Sequence, residues 1–464
     1  MTISGFVPQV YNTIIKGIVE SVVDAISKLE PTNIFLNSSG FDENVKVAFN
    51  RSIKAYNKNP EVKKLKYKER HLAVNRQMRL LKFVSNEGKA QASLNWFGVH
   101  TTSVGNDLCK ICADNKGYAA DGLEKWASEK LENNEYIGAF AQEACGDISP
   151  NFVWDRKRNR MRGAEKDDYL NARTNGKLQT DKAIEIHEKI DQKHLLEGAI
   201  DSELIYVDMT KVFVNDEYCQ GKSDCRTGPA AMGLAFFMGA TDGHGIPKSL
   251  KPIIKTAISS VKLKERFSSI FNKKTRERIS LKYDVHGKKD VFMETSEGRI
   301  LGSDNMKKML RTPMDPTTVF MKKQYLKGGI DEKPWTPDIV PIQISIIGKL
   351  AILAMPSEIT TIAADRLRQT VLDVLKKKGV SEIIVSSYSN CYSGYVTTYE
   401  EYQVQAYEGG HTLFGKWTLA AYQTIFKSVA EEMLKPKQSR DLDRETKPYI
   451  YKEETIKGRT FGNF

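Results

Sequence analysis

Apolar residues recur at helical spacing, the pattern that lines one face of a helix, in the stretches 6–29, 123–132, 181–197, 358–378 and 419–434. The first is the plainest, with Phe6, Val10, Ile14, Val22 and Ile26 on one side. Between these stretches lie short runs that are often apolar throughout, at 34–36, 93–99, 136–140, 339–347, 351–355 and 382–386. Such runs suit strands buried beneath a cover of helices. There is no internal repeat. The pattern predicts an α/β fold, a mixed sheet core covered by helices, in one large domain.

A lysine-rich segment from about 248 to 330 departs from this pattern, and its densest part is 248–289. Ile253, Ile254, Ile258 and Val261 keep roughly helical spacing there, which reads as a basic helical insertion elaborating the surface. Stacking aromatics are not interleaved as RNA-binding modules need, so no nucleic-acid partner is expected. The net charge of +12 suits a solvated surface or docking on anionic lipid. The 464 residues, 40% of them hydrophobic, are ample for a large core. No apolar run reaches the roughly 18 residues that cross a bilayer. The longest, 339–355, is broken by Pro341, Gln343, Ser345 and Lys349. The chain shows no signal peptide: a basic n-region, apolar h-region and cleavage site are all missing. The polar tail after Lys435 is expected to wrap the surface. Six cysteines are too few for a disulfide scaffold. Cys109 and Cys112 form a C-x-x-C without the second pair a zinc ribbon needs, and Cys219 and Cys225 could close a small loop.

Taken singly, the candidate chemical groups are ambiguous. His100 ends the run Asn95-Trp96-Phe97-Gly98-Val99-His100 and enters a polar loop, a position that suits a ligand, a base or a structural histidine. Ser149 lies in Gly146-Asp147-Ile148-Ser149-Pro150-Asn151, where a sharp loop after a strand can carry a nucleophile or merely turn the chain. Glu358 follows Pro356-Ser357 at a predicted helix start, where the dipole alone favours a carboxylate. Tyr395 and Tyr407 belong to a tyrosine-rich segment that packing could explain.

The order of these stretches carries more than any one of them. Asn50-Arg51-Ser52 comes first, then Trp96-Phe97-Gly98-Val99-His100, then Asp114-Asn115-Lys116-Gly117-Tyr118-Ala119. Ala139-Phe140-Ala141-Gln142 and the Gly-Asp-Ile-Ser-Pro-Asn stretch follow. Pro334-Trp335-Thr336-Pro337-Asp338-Ile339-Val340, Tyr395-Val396-Thr397-Thr398-Tyr399-Glu400-Glu401-Tyr402 and Lys457-Gly458-Arg459-Thr460-Phe461-Gly462 close the set. The set resembles the neutral/alkaline (non-lysosomal) ceramidases across nearly the whole chain, least in the lysine-rich block. The resemblance implies a zinc-dependent amide hydrolase that splits ceramide, N-acylsphingosine, into a fatty acid and sphingosine. It implies that His100, Glu358 and Tyr395 bind Zn2+, that Ser149 is essential, and that Arg51 and Tyr407 lie near the substrate amide oxygen. Zinc lowers the pKa of bound water to about 7 and polarises a carbonyl, while an Arg and a phenol can hold the developing oxyanion. The reading favours zinc-activated water as attacker, with Ser149 as a polar partner, and assigns Ser149 no His–Asp pair. The expected partner is ceramide or a related N-acyl lipid at a membrane surface. The expected location, again by resemblance, is extracellular, periplasmic or on the outer cell surface.

The chain also departs from the family pattern. A Thr-His-Thr-His segment that carries another zinc-binding His is expected before residue 6, and Met1-Thr2-Ile3-Ser4-Gly5 stands there instead. An immunoglobulin-like module is expected after the Lys-Gly-Arg-Thr-Phe-Gly end. Ile53, Ala144, Gly394 and Thr336 replace residues commoner in the family. The chain thus reads as a catalytic-domain fragment, 1–464, incomplete at its N-terminus. Two alternatives stand beside the zinc amidase: an inactive remnant that binds lipid or a partner, and an amidase for another N-acyl lipid.

Overall fold

Side-chain alternation along the strands sets the architecture, because successive residues of a strand face opposite ways. In the computed structural model, which describes residues 7–105, 108, 110–304 and 316–460, Leu80 and Leu81 are both buried but in different clusters. Leu80 packs with Leu123 and Ala183 of two covering helices, Asp114–Lys130 and Asp168–Glu188. Leu81 packs with Trp96, Leu350 and Ile384, the last two from a second sheet. There, Ile383 and Val385 turn the other way, into the cluster shared with helices Thr361–Leu375 and Thr418–Glu432. The result is four layers: helices, sheet, sheet, helices.

Each sheet has four strands and is mixed. The first runs in the order Thr32–Gly40, Gln77–Ser85, Ala90–Trp96, Ile137–Ala141, with two antiparallel pairings and a final parallel one. The second runs Glu382–Ser386, Leu350–Ala354, Ile339–Ile347, Ile200–Asp208, with one parallel pairing followed by two antiparallel ones. Both parallel pairs therefore send their carboxyl ends, the usual place for a binding crevice in α/β sheets, into loops. Trp96 Nε1 donates to Ser386 Oγ at 3.3 Å and Ser387 N to Gln142 O at 3.2 Å, so the loops from the two sheets leave side by side.

Several elements differ from the hydropathy pattern. The helix predicted over 181–197 is Asp168–Glu188. Its first turn is capped by Asp167, which accepts from Tyr169 N and Leu170 N, and its buried face includes Asn171, Asn175 and Gln179. Those polar residues hid the helix from an apolar count, yet each finds partners: Asn175 Nδ2 donates to Val47 O at 2.7 Å, and Lys116 Nζ to Gln179 Oε1 at 2.8 Å. The helix Pro8–Ser27 forms as patterned, but none of its residues is buried. The lysine-rich block holds the helices Lys251–Phe271 and Lys273–His286. Val291–Glu294 and Arg299–Ile300 then join Ala231–Gly233 in a small sheet. In the tail, Arg440 binds Asp201 and also Glu203, at 2.7 Å, along the edge strand of the second sheet. Cys219 and Cys225 are buried free thiols. Phe6 and the residues before it, Cys109, and Phe461 with Gly462 lie outside the described residues.

Candidate active site

Loops at the carboxyl ends of the two parallel pairs build the site. His100 follows strand Ala90–Trp96, Cys145 and Ser149 follow Ile137–Ala141, Glu358 follows Leu350–Ala354, and Tyr395 follows Glu382–Ser386. The helix predicted from residue 358 begins at Thr361 instead. Glu358 and Ile359 pair in parallel with Tyr395 and Val396, because Glu358 N donates to Gly394 O and Thr360 N to Val396 O, both at 2.9 Å. Glu358 is therefore a strand residue held opposite Tyr395 and not a carboxylate placed by a helix dipole. The loops approach closely at glycines. A Cβ on Gly146 would lie 2.7 Å from Glu358 O, and one on Gly98 2.1 Å from Ala144 O.

One side of the site gathers metal-ligating atoms. His100, Cys145 and Glu358, all buried, place ligand atoms within 4.8 Å of one another, a cluster that can hold a single ion. His100 Nδ1–H donates to Ile148 O at 2.5 Å, leaving Nε2 to face Glu358 Oε2 at 2.5 Å. Fixing one ring nitrogen on a carbonyl is how a ligand histidine is usually oriented. Tyr395 Oη lies 3.5 Å from the same Nε2, and Tyr392 Oη donates to Glu358 Oε1 at 2.5 Å. Burial would raise the Glu358 carboxyl, but the His100 imidazole and the hydroxyls of Tyr392 and Tyr395 outweigh it and hold the group at about 2. Burial and Glu358 push the Cys145 thiol up, and burial does the same to the Tyr395 phenol.

The other side is organised by Arg51, whose guanidinium is buried. Its Nε donates to Glu408 Oε1 at 2.8 Å, and its terminal nitrogens donate to Gly146 O at 3.0 Å, Tyr395 Oη at 3.1 Å and Asp242 Oδ1 at 3.4 Å. It also lies over the Tyr407 ring, 5.2 Å from the centroid. Asp242 uses its other oxygen to accept from Ser149 Oγ at 2.6 Å and Thr102 Oγ1 at 3.3 Å. Although Asp242 is buried, Arg51 and the Ser149 hydroxyl keep its carboxyl below the usual range. A cavity of about 270 Å³ opens beside this cluster, lined by Arg51, Tyr407, Ile53, Ala240, Thr241 and Val404 among others.

The structure thus brings together Arg51, His100, Ser149, Glu358, Tyr395 and Tyr407. The description "Neutral/alkaline non-lysosomal ceramidase, N-terminal" matches residues 1–424. This chain belongs to the neutral/alkaline ceramidase family. Relatives include the neutral ceramidase of Pseudomonas aeruginosa, 30% identical over 432 residues, and neutral ceramidase 1 of Arabidopsis thaliana, 29% identical over 525. Those alignments cover 93% and 94% of this chain but 55% and 61% of the relatives, so the chain spans little more than half their length. Among solved structures, the P. aeruginosa neutral ceramidase superposes with a TM-score of 0.65 at 28% identity, covering 92% of this chain and 56% of that one. A structure described as "Ceramidase complexed with C2" gives 0.70 at 27% identity, covering 96% and 60%.

Within this ceramidase-family site, the sequence reading missed Cys145, Asp242, Glu408 and Tyr392. Cys145 was discoverable, since it stands four residues before Ser149 in the same loop. Asp242 was not: it lies 93 residues from Ser149, in a Thr-Asp-Gly turn like many others.

Proposed function

We propose that this chain forms the catalytic core of a zinc-dependent amidase that cleaves ceramide to a fatty acid and sphingosine. The observation that carries the reading is the convergence of His100, Glu358 and Tyr395 beside the Ser149–Asp242 pair and the buried Arg51. Family membership and relatives named neutral ceramidases support it. The donor set fits zinc: an imidazole nitrogen, a carboxylate and a phenol, with a thiol alongside. When bound, zinc supplies acidification of water and polarisation of the amide carbonyl.

The chain's own residues do the rest. Arg51 and the phenol of Tyr407, kept protonated by burial, present hydrogen-bond donors to an amide oxygen as charge develops on it. They are pre-oriented, since Glu408 and Gly146 O fix the guanidinium. Ser149 donates to Asp242 and accepts from Asn151 N at 3.0 Å, so its hydroxyl has one orientation, and Asp242 is the group placed to take its proton. The apolar members of the cavity, Ile53, Ala240 and Val404, suit a hydrocarbon chain entering beside Arg51.

The test is zinc stoichiometry combined with hydrolysis of an N-acylsphingosine. Zinc bound at one per chain, with Ser149→Ala and Asp242→Asn each lowering turnover by about 10²–10⁴-fold at unchanged zinc content, is the expected result. Wild-type turnover in Ser149→Ala, or zinc bound with no cleavage of any N-acyl lipid, would remove the reading.

A further inference from the structure

The helix Lys251–Phe271 carries two apolar faces, and only one of them is used by the protein core. Ile254 and Ile258 are buried in the main cluster together with Phe237 and Ile246, and Glu265 turns inward on the same side. On the opposite side Leu263, Phe267, Ile270 and Phe271 are 71%, 64%, 61% and 75% exposed. Their spacing of i, i+4, i+7 and i+8 makes one continuous stripe, and the rings of Phe267 and Phe271 meet at 5.4 Å. Stray surface apolar residues need no explanation, but a stripe of large ones does.

The surroundings of the stripe are cationic. Residues 262–276 contain Lys262, Lys264, Arg266, Lys273, Lys274 and Arg276 against a single acidic residue. That residue, Glu265, is buried and already bound by Lys282 at 2.9 and 3.0 Å and by Tyr283 Oη at 2.6 Å. It leaves the outer face positive. The tip is also rigid. Arg276 donates to the carbonyls of Ser269 and Ile270 at 3.1 and 2.9 Å, and Asn272 caps the next helix at Thr275 N, 2.9 Å. The apolar side chains are therefore held outward before any partner arrives, so little ordering cost remains to be met on binding.

We propose that the hairpin of Lys251–Phe271 and Lys273–His286 docks on an anionic lipid bilayer, with Leu263, Phe267, Ile270 and Phe271 in the acyl boundary and the flanking Lys and Arg among headgroup phosphates and carboxylates. A helix with large apolar groups on one face and cations beside them is the form that lies in a membrane interface. Charge selects this occupant: a stripe framed by one sign of charge repels a second copy of itself and attracts an anionic surface. The docked helix is continuous with the site loop, since Asp242 precedes Lys251 by nine residues and the core residues Phe237 and Ile246 flank it. The inference concerns binding alone and stands whether or not the amidase reading holds.

Co-sedimentation of the whole chain with vesicles tests it, using phosphatidylcholine alone and equal parts phosphatidylcholine and phosphatidylserine. Binding is expected on the mixed vesicles and to weaken steeply as salt is added. The triple variant Leu263→Ser, Phe267→Ser, Phe271→Ser and the charge variant Lys264→Glu, Lys273→Glu, Lys274→Glu are each expected to lose about tenfold or more in binding. Their thermal midpoints should stay unchanged, since these side chains are exposed. Equal binding to both vesicle types, retained binding by either variant, or a dimer that the triple variant abolishes while vesicle binding stays intact, would each overturn the proposal.

Discussion

On the Arg51 side of the site, a guanidinium meets two carboxylates inside the protein: Arg51, Asp242 and Glu408 have side chains 5%, 3% and 2% exposed. On the His100 side, Glu358 is equally buried but is met by an imidazole and a phenol rather than by a guanidinium. The first arrangement contains its own cation, so its charge balance is part of folding. The second offers lone pairs to a cation that comes from outside, so its balance is part of binding. Damage to the two sides should therefore appear in different measurements, and three substitutions can break or sharpen that contrast.

The largest effect is expected from Arg51→Met. It leaves Asp242 and Glu408 buried without their countercharge, a situation that costs about 3–5 kcal/mol. Urea denaturation of the metal-free chain should register this as a lowered midpoint. A midpoint unchanged from the parent chain would show that the carboxylates find other compensation and that the Arg51 side is not a folding unit. Glu358→Gln should behave the other way. Gln keeps the shape and can still bond Tyr392, so the urea midpoint moves less than in Arg51→Met. Zinc affinity, read by competition with a chelating dye, should fall by at least about a hundredfold. Loss of stability without loss of affinity would reverse the assignment of the two sides.

The contrast also explains what the sequence could and could not reveal. The sheet core and its helical cover were legible, though not its division into two sheets, because strands such as 339–347 and 382–386 are dense in apolar residues that strand geometry forces inward, and both match their observed bounds. Asp168–Glu188 was mostly illegible because much of its buried face is polar, with Asn171, Asn175 and Gln179 set among Ala172, Ala183 and Ile186. At the site, His100, Ser149 and Tyr395 stood out because they belong to ordered stretches. Asp242 and Glu408 did not, because their significance lies in contacts distant in sequence: with Arg51, 191 and 357 residues away, and for Asp242 also with Ser149, 93 residues away. Glu358 was named by the family resemblance and given the wrong local structure, since a Pro-Ser-Glu run before an apolar helix looks like a helix start. The ladder with Tyr395 that captures it depends on a strand pairing no local pattern encodes.

The smallest effect is expected from Cys145→Ser, and it is the most discriminating. The resemblance names a phenol, Tyr395, as the third ligand, whereas the geometry sets the Cys145 thiol among His100 and Glu358. A thiol that merely lines the site can be replaced by a hydroxyl of similar shape with a loss in zinc affinity of about tenfold or less. A thiolate bonded to the ion cannot, and its removal would cost as much as Glu358→Gln. Cobalt in place of zinc separates the two by absorption spectroscopy, since a cobalt–thiolate bond adds an intense near-ultraviolet charge-transfer band that nitrogen and oxygen ligands lack. With His100, Glu358 and Tyr395 as the ligands, the parent chain and Cys145→Ser should give the same cobalt spectrum without that band. A band present in the parent and missing in the variant would move the third ligand from Tyr395 to Cys145. The Tyr395 phenol, already bonded to Arg51 at 3.1 Å, would then belong wholly to the Arg51 side.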